Sequence, residues 1–149
     1  MGQNTPNNFK STGITHAIRA SKTGEADKIR GWLELQTWKG QIGSPLAPFA
    51  NQIAKSPYWS LILAICYQEQ NHCISAPSWN FWGMGPGKIY NSAEESITDI
   101  DYFLWKHEEN HPTIESFRAW YCYAKYNESH ICPEWEPSIL NIMKQLESL

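Results

Sequence analysis

This sequence lacks long apolar runs, closely spaced cysteine pairs and an excess of either charge. Its longest apolar stretch, Trp59 to Tyr67 with Ser60 inside it, is far too short to cross a bilayer. The opening MGQNTPNNFKSTG is polar and holds no apolar core of a secretion signal. The four cysteines, Cys66, Cys73, Cys122 and Cys132, include no CxxC spacing, which argues against a cysteine-rich zinc site. They allow two disulfides or four thiols, and Cys122 and Cys132 are the closest pair across an expected loop. Lys and Arg total 12 against 15 Asp and Glu, a net charge of −3. No basic excess exists to neutralise a phosphate backbone or to hold an anionic membrane, so neither nucleic acid nor membrane insertion is expected.

Aromatic and apolar residues are plentiful instead. The 149 residues are 42% apolar and 13% aromatic with eight Trp, a composition that supports one core and argues against disorder. Residues 1–13 read as a polar tail of Asn, Gln, Thr and Pro, 14–43 as an N-terminal helical extension, and 44–149 as the main domain. Gly24 to Lys39 is expected to be helical, with Ile29 and Leu33 on its apolar side and a break at Gly40–Gly43. Ser44-Pro45 and Ser56-Pro57 are both start signals, a capping serine followed by a proline suited to the first helical position. They predict helices over about 46–55 and 58–71.

The second of these is the most apolar segment. Trp59, Ile62, Leu63 and Cys66 follow helical spacing, and Leu61, Ala64, Ile65 and Tyr67 fill the other sides, so it should be buried nearly all round. Residues 74–91, rich in Pro, Gly and aromatics, predict a loop with one short hairpin. Ser92 to Glu95 has capping-box spacing and should open a helix that stops before Pro112. Helices at about 113–124 and from about 134 complete a mainly α chain (α+β) with a small β insertion.

The apolar stripe 59, 62, 66 continues to Glu69. A carboxyl partly buried against aromatic rings holds its proton more readily than one in water, and a general acid must hold a proton near neutral pH. Trp79, Phe81 and Trp82 surround Asn80 just downstream, and their rings could stack on sugars or fill the core.

Four segments in order carry a resemblance: Ser44-Pro-Leu-Ala-Pro-Phe-Ala50, Leu63-Ala-Ile-Cys-Tyr-Gln-Glu69, Asn80-Phe-Trp-Gly-Met84 and Tyr90-Asn-Ser-Ala-Glu-Glu-Ser-Ile97. Over residues 44 to 107 the chain resembles the lysozyme-like superfamily of lytic transglycosylases, goose-type lysozymes and glucosaminidases. Cys132-Pro-Glu-Trp-Glu-Pro137 also resembles a C-terminal element of some members. The resemblance implies a lysozyme-like domain over 44–149 that cleaves β-1,4-linked amino-sugar strands of peptidoglycan, with no cofactor and no metal. Glu69 would be the general acid. Asn80, Phe81, Trp82, Tyr90, Tyr121 and Tyr123 would shape the cleft or contact the sugar. No Asp or Glu lies between Glu69 and Tyr90, and Glu94, Glu95, Asp99 and Asp101 come later. That favours single-carboxylate chemistry, in which the substrate's acetamido group assists and Glu69 serves as acid and then as base.

Gln70, Asn71 and His72 differ from the Ser and small residues that commonly follow the catalytic Glu in the resembled family. They motivate an alternative, a non-catalytic docking module of a phage tail or baseplate, held by virion proteins through the N-terminal segment. A wall-cleaving chain without an export signal would be virion-associated or released to the wall by lysis. Its charge of −3 offers no steering toward an anionic wall, which fits delivery by an assembly. A competing motif, His107-Glu-Glu-Asn-His111, matches the HExxH signature, with Glu108 as base and His130 or Glu128 as a third zinc ligand. Pro112 pushes the second His away from helical geometry, so this metalloprotease is the weaker expectation. Glu69 and His72 alone have the spacing of one di-iron motif, where two are required.

Overall fold

Helix α1 (Ala26–Glu34) turns Ile29 and Leu33, about one turn apart, into the core. In the computed structural model, which describes residues 16–85, 87–118 and 135–149, this helix stops short of the expected break. A hairpin follows, in which β1 (Thr37–Trp38) pairs antiparallel with β2 (Gln41–Ile42), Thr37 opposite Ile42 and Trp38 opposite Gln41. Lys39 and Gly40 at its tip have φ of 48° and 86°. Two successive left-handed residues are what a two-residue turn needs to match strand twist, and glycine supplies the second without cost. The sequence predicts a hairpin within 74–91 instead; no strand occurs among the described residues there. Left-handed Ser78 and Trp79 and three left-handed glycines keep that segment irregular.

Both serine start signals precede helical segments, each serine binding a backbone N–H in the turn before the helix and not at its N-cap. Ser44 Oγ accepts from Leu46 N–H at 3.1 Å and donates to the Cys73 carbonyl at 2.6 Å. A 3-10 turn (Ala47–Phe49) then leads into α2 (Ala50–Ala54). Ser56 Oγ accepts from Tyr58 N–H at 3.0 Å, and α3 (Trp59–Glu69) begins one residue later. Every residue of α3 from Trp59 to Cys66 is buried. At the next start signal, Ser92 Oγ accepts from Glu95 N–H at 3.1 Å while Glu95 Oε1 accepts from Asn91 N–H at 2.9 Å. This reciprocal pair opens α4 (Ala93–Glu108). A helical turn occupies 114–118, and α5 (Trp135–Glu147) packs along α3.

The protein is therefore mainly helical with one small antiparallel sheet. One cluster of buried side chains runs from Ile18 through α1, α2, α3 and α4 to Leu146. Ile18, Ile29 and Leu33 belong to it, so from residue 16 onward the expected N-terminal extension shares the core of the rest. The strap before α1 is held at both edges: Ile18 N–H donates to Pro112 O at 2.9 Å and Ala20 N–H to Pro57 O at 2.8 Å. Residues 1–13 lie outside the described residues.

Cys66 and Cys73 form a disulfide, a pairing that the sequence left open. It joins the last turn of α3 to a run of three left-handed residues, Asn71, His72 and Cys73, with φ of 53°, 61° and 63°. None of the three is glycine, and such a run persists only where its surroundings force it. Closing so short a loop, with a separation of 7 residues, contributes about 2–3 kcal/mol in the chain-entropy account. The double variant Cys66→Ala/Cys73→Ala should lose stability of that order in urea unfolding. An unchanged midpoint would mean that packing alone holds the turn. Cys122 and Cys132 lie outside the described residues.

Candidate functional site

Glu69 is the last residue of α3 and is half-buried. A helix enclosed by core over most of its length thus delivers a carboxylate to the surface at its final turn. Gln70 N–H donates to Cys66 O at 2.9 Å and Cys73 N–H to the same carbonyl at 3.3 Å, which closes the helix directly after Glu69. The left-handed run and the disulfide fix the chain that leaves it.

A different side of this helix end carries an aromatic cluster. The Tyr67 ring stacks on His72, with centroids 4.2 Å apart and planes 11° from parallel. Trp38 meets His72 edge-on at 5.0 Å, and Trp32 leans on Tyr67 at 6.0 Å. His72 Nδ1 lies 2.9 Å from the Thr37 carbonyl, which fastens the hairpin to the end of α3. Residues two apart on a helix diverge by roughly 200°. His72 follows Tyr67, away from the direction in which Glu69 leaves the helix, so its bulk is accommodated by the hairpin.

The loop residues expected to contact sugar have structural work. Asn80 is the hub of its turn: Oδ1 accepts from Met84 N–H at 2.9 Å, and Nδ2 donates to Met84 O at 3.0 Å and to Lys88 O at 3.1 Å. Both of its side-chain protons are used, so it shapes the loop as expected and has none left for a ligand. Phe81 and Trp82 are buried and do not present faces to solvent, contrary to the role expected of them. Trp82 Nε1–H donates to Ile62 O at 2.8 Å, so the indole satisfies its one polar atom on the backbone of α3. Half-buried Trp79, edge-on to Phe49 at 6.1 Å, is the ring of this trio nearest to solvent. Tyr90 is buried, and its phenol donates to Asp99 Oδ2. Burial first, and then the hydrogen bond to Asp99, push that phenol well above its ordinary range. Asp99 is a partner that the sequence had no means to single out, nine residues from Tyr90 with no motif joining them. Tyr121 and Tyr123 lie outside the described residues.

The HExxH segment is put to another use. Helix α4 ends at Glu108, so His107 closes the helix and His111 lies beyond it, with the two ring centroids 6.4 Å apart. Glu108 Oε1 accepts from the Tyr58 hydroxyl at 2.6 Å and Oε2 from Arg19 Nε at 2.6 Å. Both oxygens anchor the strap and α3, which is not the setting of a base that activates water. No group of three His, Cys, Asp or Glu able to hold a metal ion occurs among the described residues, and His130 and Glu128 lie outside them.

Burial by itself would raise the Glu108 carboxyl, but the hydrogen bonds from Arg19 and Tyr58 outweigh it and hold the group below its ordinary 4.5. A carboxyl lowered on folding stabilises the fold above its unfolded value, and that contribution is lost as pH falls through the folded value. Thermal unfolding followed downward from about pH 5 should therefore show less acid destabilisation in Glu108→Gln than in wild type. Parallel acid limbs would show that the Arg19–Glu108–Tyr58 contacts carry no linked proton.

No protein-family model, curated protein or solved structure matches the chain.

Proposed function

We propose that the chain is a peptidoglycan-cleaving glycosidase, a muramidase or lytic transglycosylase on a lysozyme-like scaffold, with Glu69 as general acid and then base. The observation that carries this is the placement of Glu69, half-buried at the end of a helix that the core encloses from Trp59 to Cys66. Four of the other acids are anchors of the fold. Asp99 binds Tyr90 and Lys88, Asp101 binds Ser56, Glu108 binds Arg19 and Tyr58, and Glu147 binds Ser21 and Ser60.

In this mechanism the Glu69 carboxyl gives its proton to the glycosidic oxygen as the C1–O bond breaks. The substrate's acetamido oxygen closes on C1 and takes up the developing positive charge. The Glu69 carboxylate then removes a proton from water, whose oxygen displaces the acetamido oxygen from C1 to give a hydrolysed end, or from the sugar's own C6 hydroxyl, whose oxygen makes the same displacement to give a 1,6-anhydro ring. The test is clearing of purified cell walls by wild type and by Glu69→Gln, with the released ends analysed by mass. Equal clearing by the two proteins would sink the assignment.

The exposed Leu35, before the hairpin, and Ile42, in its second strand, favour a second reading, a docking module held by virion proteins. On that reading purified wild-type protein leaves walls intact.

A further inference from the structure

Large apolar side chains facing water are few among the described residues; two of them line one groove, and a third, Trp105, lies against one of these. Tyr102 and Trp105 are 54% and 61% exposed, and Ile89 is 71% exposed. Tyr102 and Trp105 lie three residues apart on α4 and so share a face. Their ring centroids are 5.8 Å apart with planes tilted by 30°, so the two rings form one exposed aromatic platform on that face. Tyr102 and Ile89 also line a groove of about 620 Å³ whose walls include Lys88, Glu94, Thr98 and Asp99. That volume falls within the range of small-ligand sites, about 300–1,000 Å³. Glu69 does not line it.

The polar groups of the groove restrict what it can hold. Lys88 Nζ lies 2.9 Å from Asp99 Oδ2 and 5.5 Å from the centre of the Tyr90 ring. The groove therefore already carries its own cation in the position a basic guest would take, and such a guest would have to displace it. Glu94 and Glu95 stand in the first turn of α4, where the helix dipole compensates their charge. Glu95 is further occupied by Asn91 N–H. An apolar helix or strand would take the charges of Lys88, Asp99 and Glu94 out of water with no polar group of its own to offer them, at a cost. A ligand with flat apolar faces and hydroxyl or amide edges meets none of these penalties. Its faces fit the Tyr102–Trp105 platform, and its hydroxyls meet carboxylate acceptors along the groove.

We propose that the groove at Lys88–Tyr90 and the Tyr102–Trp105 platform bind an uncharged chain of N-acetylated sugars, as a holding site apart from Glu69. Such a site keeps a polymer near the protein in place of the long-range electrostatic attraction that a net charge of −3 does not provide. It does not require Glu69 to be catalytic, so the two proposals fail separately.

The probe is a soluble tetramer of β-1,4-linked N-acetylglucosamine, titrated into full-length Glu69→Gln protein by calorimetry and tryptophan fluorescence. Saturable binding is expected, with Trp105→Ala and Tyr102→Ala each weakening it by about tenfold or more and leaving the thermal midpoint unchanged. Absence of binding, or equal affinity in both variants, overturns the proposal. So does a dimer in sedimentation that Trp105→Ala dissolves, since the platform would then be an interface between copies. Wall clearing by the wild-type protein reports on Glu69 independently of all these outcomes.

Discussion

Glu69→Gln should lower the clearing of purified cell walls by about 10²–10⁴-fold, the usual contribution of a positioned general acid. The amide keeps the size of the side chain and loses only the transferable proton. Because Glu69 is half-buried at a helix terminus rather than in the packed interior, thermal midpoint and circular dichroism should match wild type. Glu69→Asp tests the same point from another direction. It keeps the proton and withdraws it by one methylene, so it should fall between wild type and Gln. A variant that loses clearing and folding together would not identify an acid, which makes the stability measurement part of the result.

Trp82→Ala should be among the most destabilising single changes in the chain, by about 3–5 kcal/mol. Its ring is 1% exposed, and its indole N–H donates to the Ile62 carbonyl at 2.8 Å in the middle of α3. The variant leaves a cavity against the helix that carries Glu69 and removes the bond that holds the 77–85 loop to it. Trp82→Phe keeps most of the apolar contact and should lose less, with about 1 kcal/mol of the loss due to the missing hydrogen bond. Urea unfolding monitored by circular dichroism gives both values. If Trp82→Ala unfolded like wild type and instead weakened binding to a sugar oligomer, the buried assignment would be wrong and Trp82 would be a ligand-facing residue.

Much of the helical framework was legible from local chemistry. Ser92 caps α4 as its spacing predicts, and Ser44 and Ser56 each accept a backbone N–H two residues on, in the turns that lead into helical segments, because such serine bonds span only two or three residues. The burial of α3 was equally plain, since apolar residues on all sides of a helix admit only one environment. The hairpin lies earlier in the chain than composition predicts. Its turn is Lys39-Gly40, where lysine takes a left-handed conformation that its type does not advertise. The aromatic residues were the harder problem. Trp79, Phe81 and Trp82 look alike in sequence, and a ring suited to stacking on a sugar is equally suited to filling a core. Tertiary packing buries Phe81 and Trp82 and leaves Trp79 half-buried.

The sequence by itself determined the mainly helical class, the buried helix and the arrival of one carboxylate, Glu69, at its end. Each of these depends on periodicity or on contacts a few residues long, which a linear pattern records directly. Only the tertiary structure decided that Cys66 pairs with Cys73, that Glu108 anchors Arg19 and Tyr58, and that Asp99 holds Tyr90 and Lys88. It also set Tyr102 and Trp105 on the surface beside a groove. The Tyr58–Glu108 bond joins residues 50 apart and the Arg19–Glu108 bond residues 89 apart. Partners so distant are chosen by how the elements pack, and the identity of either residue alone does not name the other.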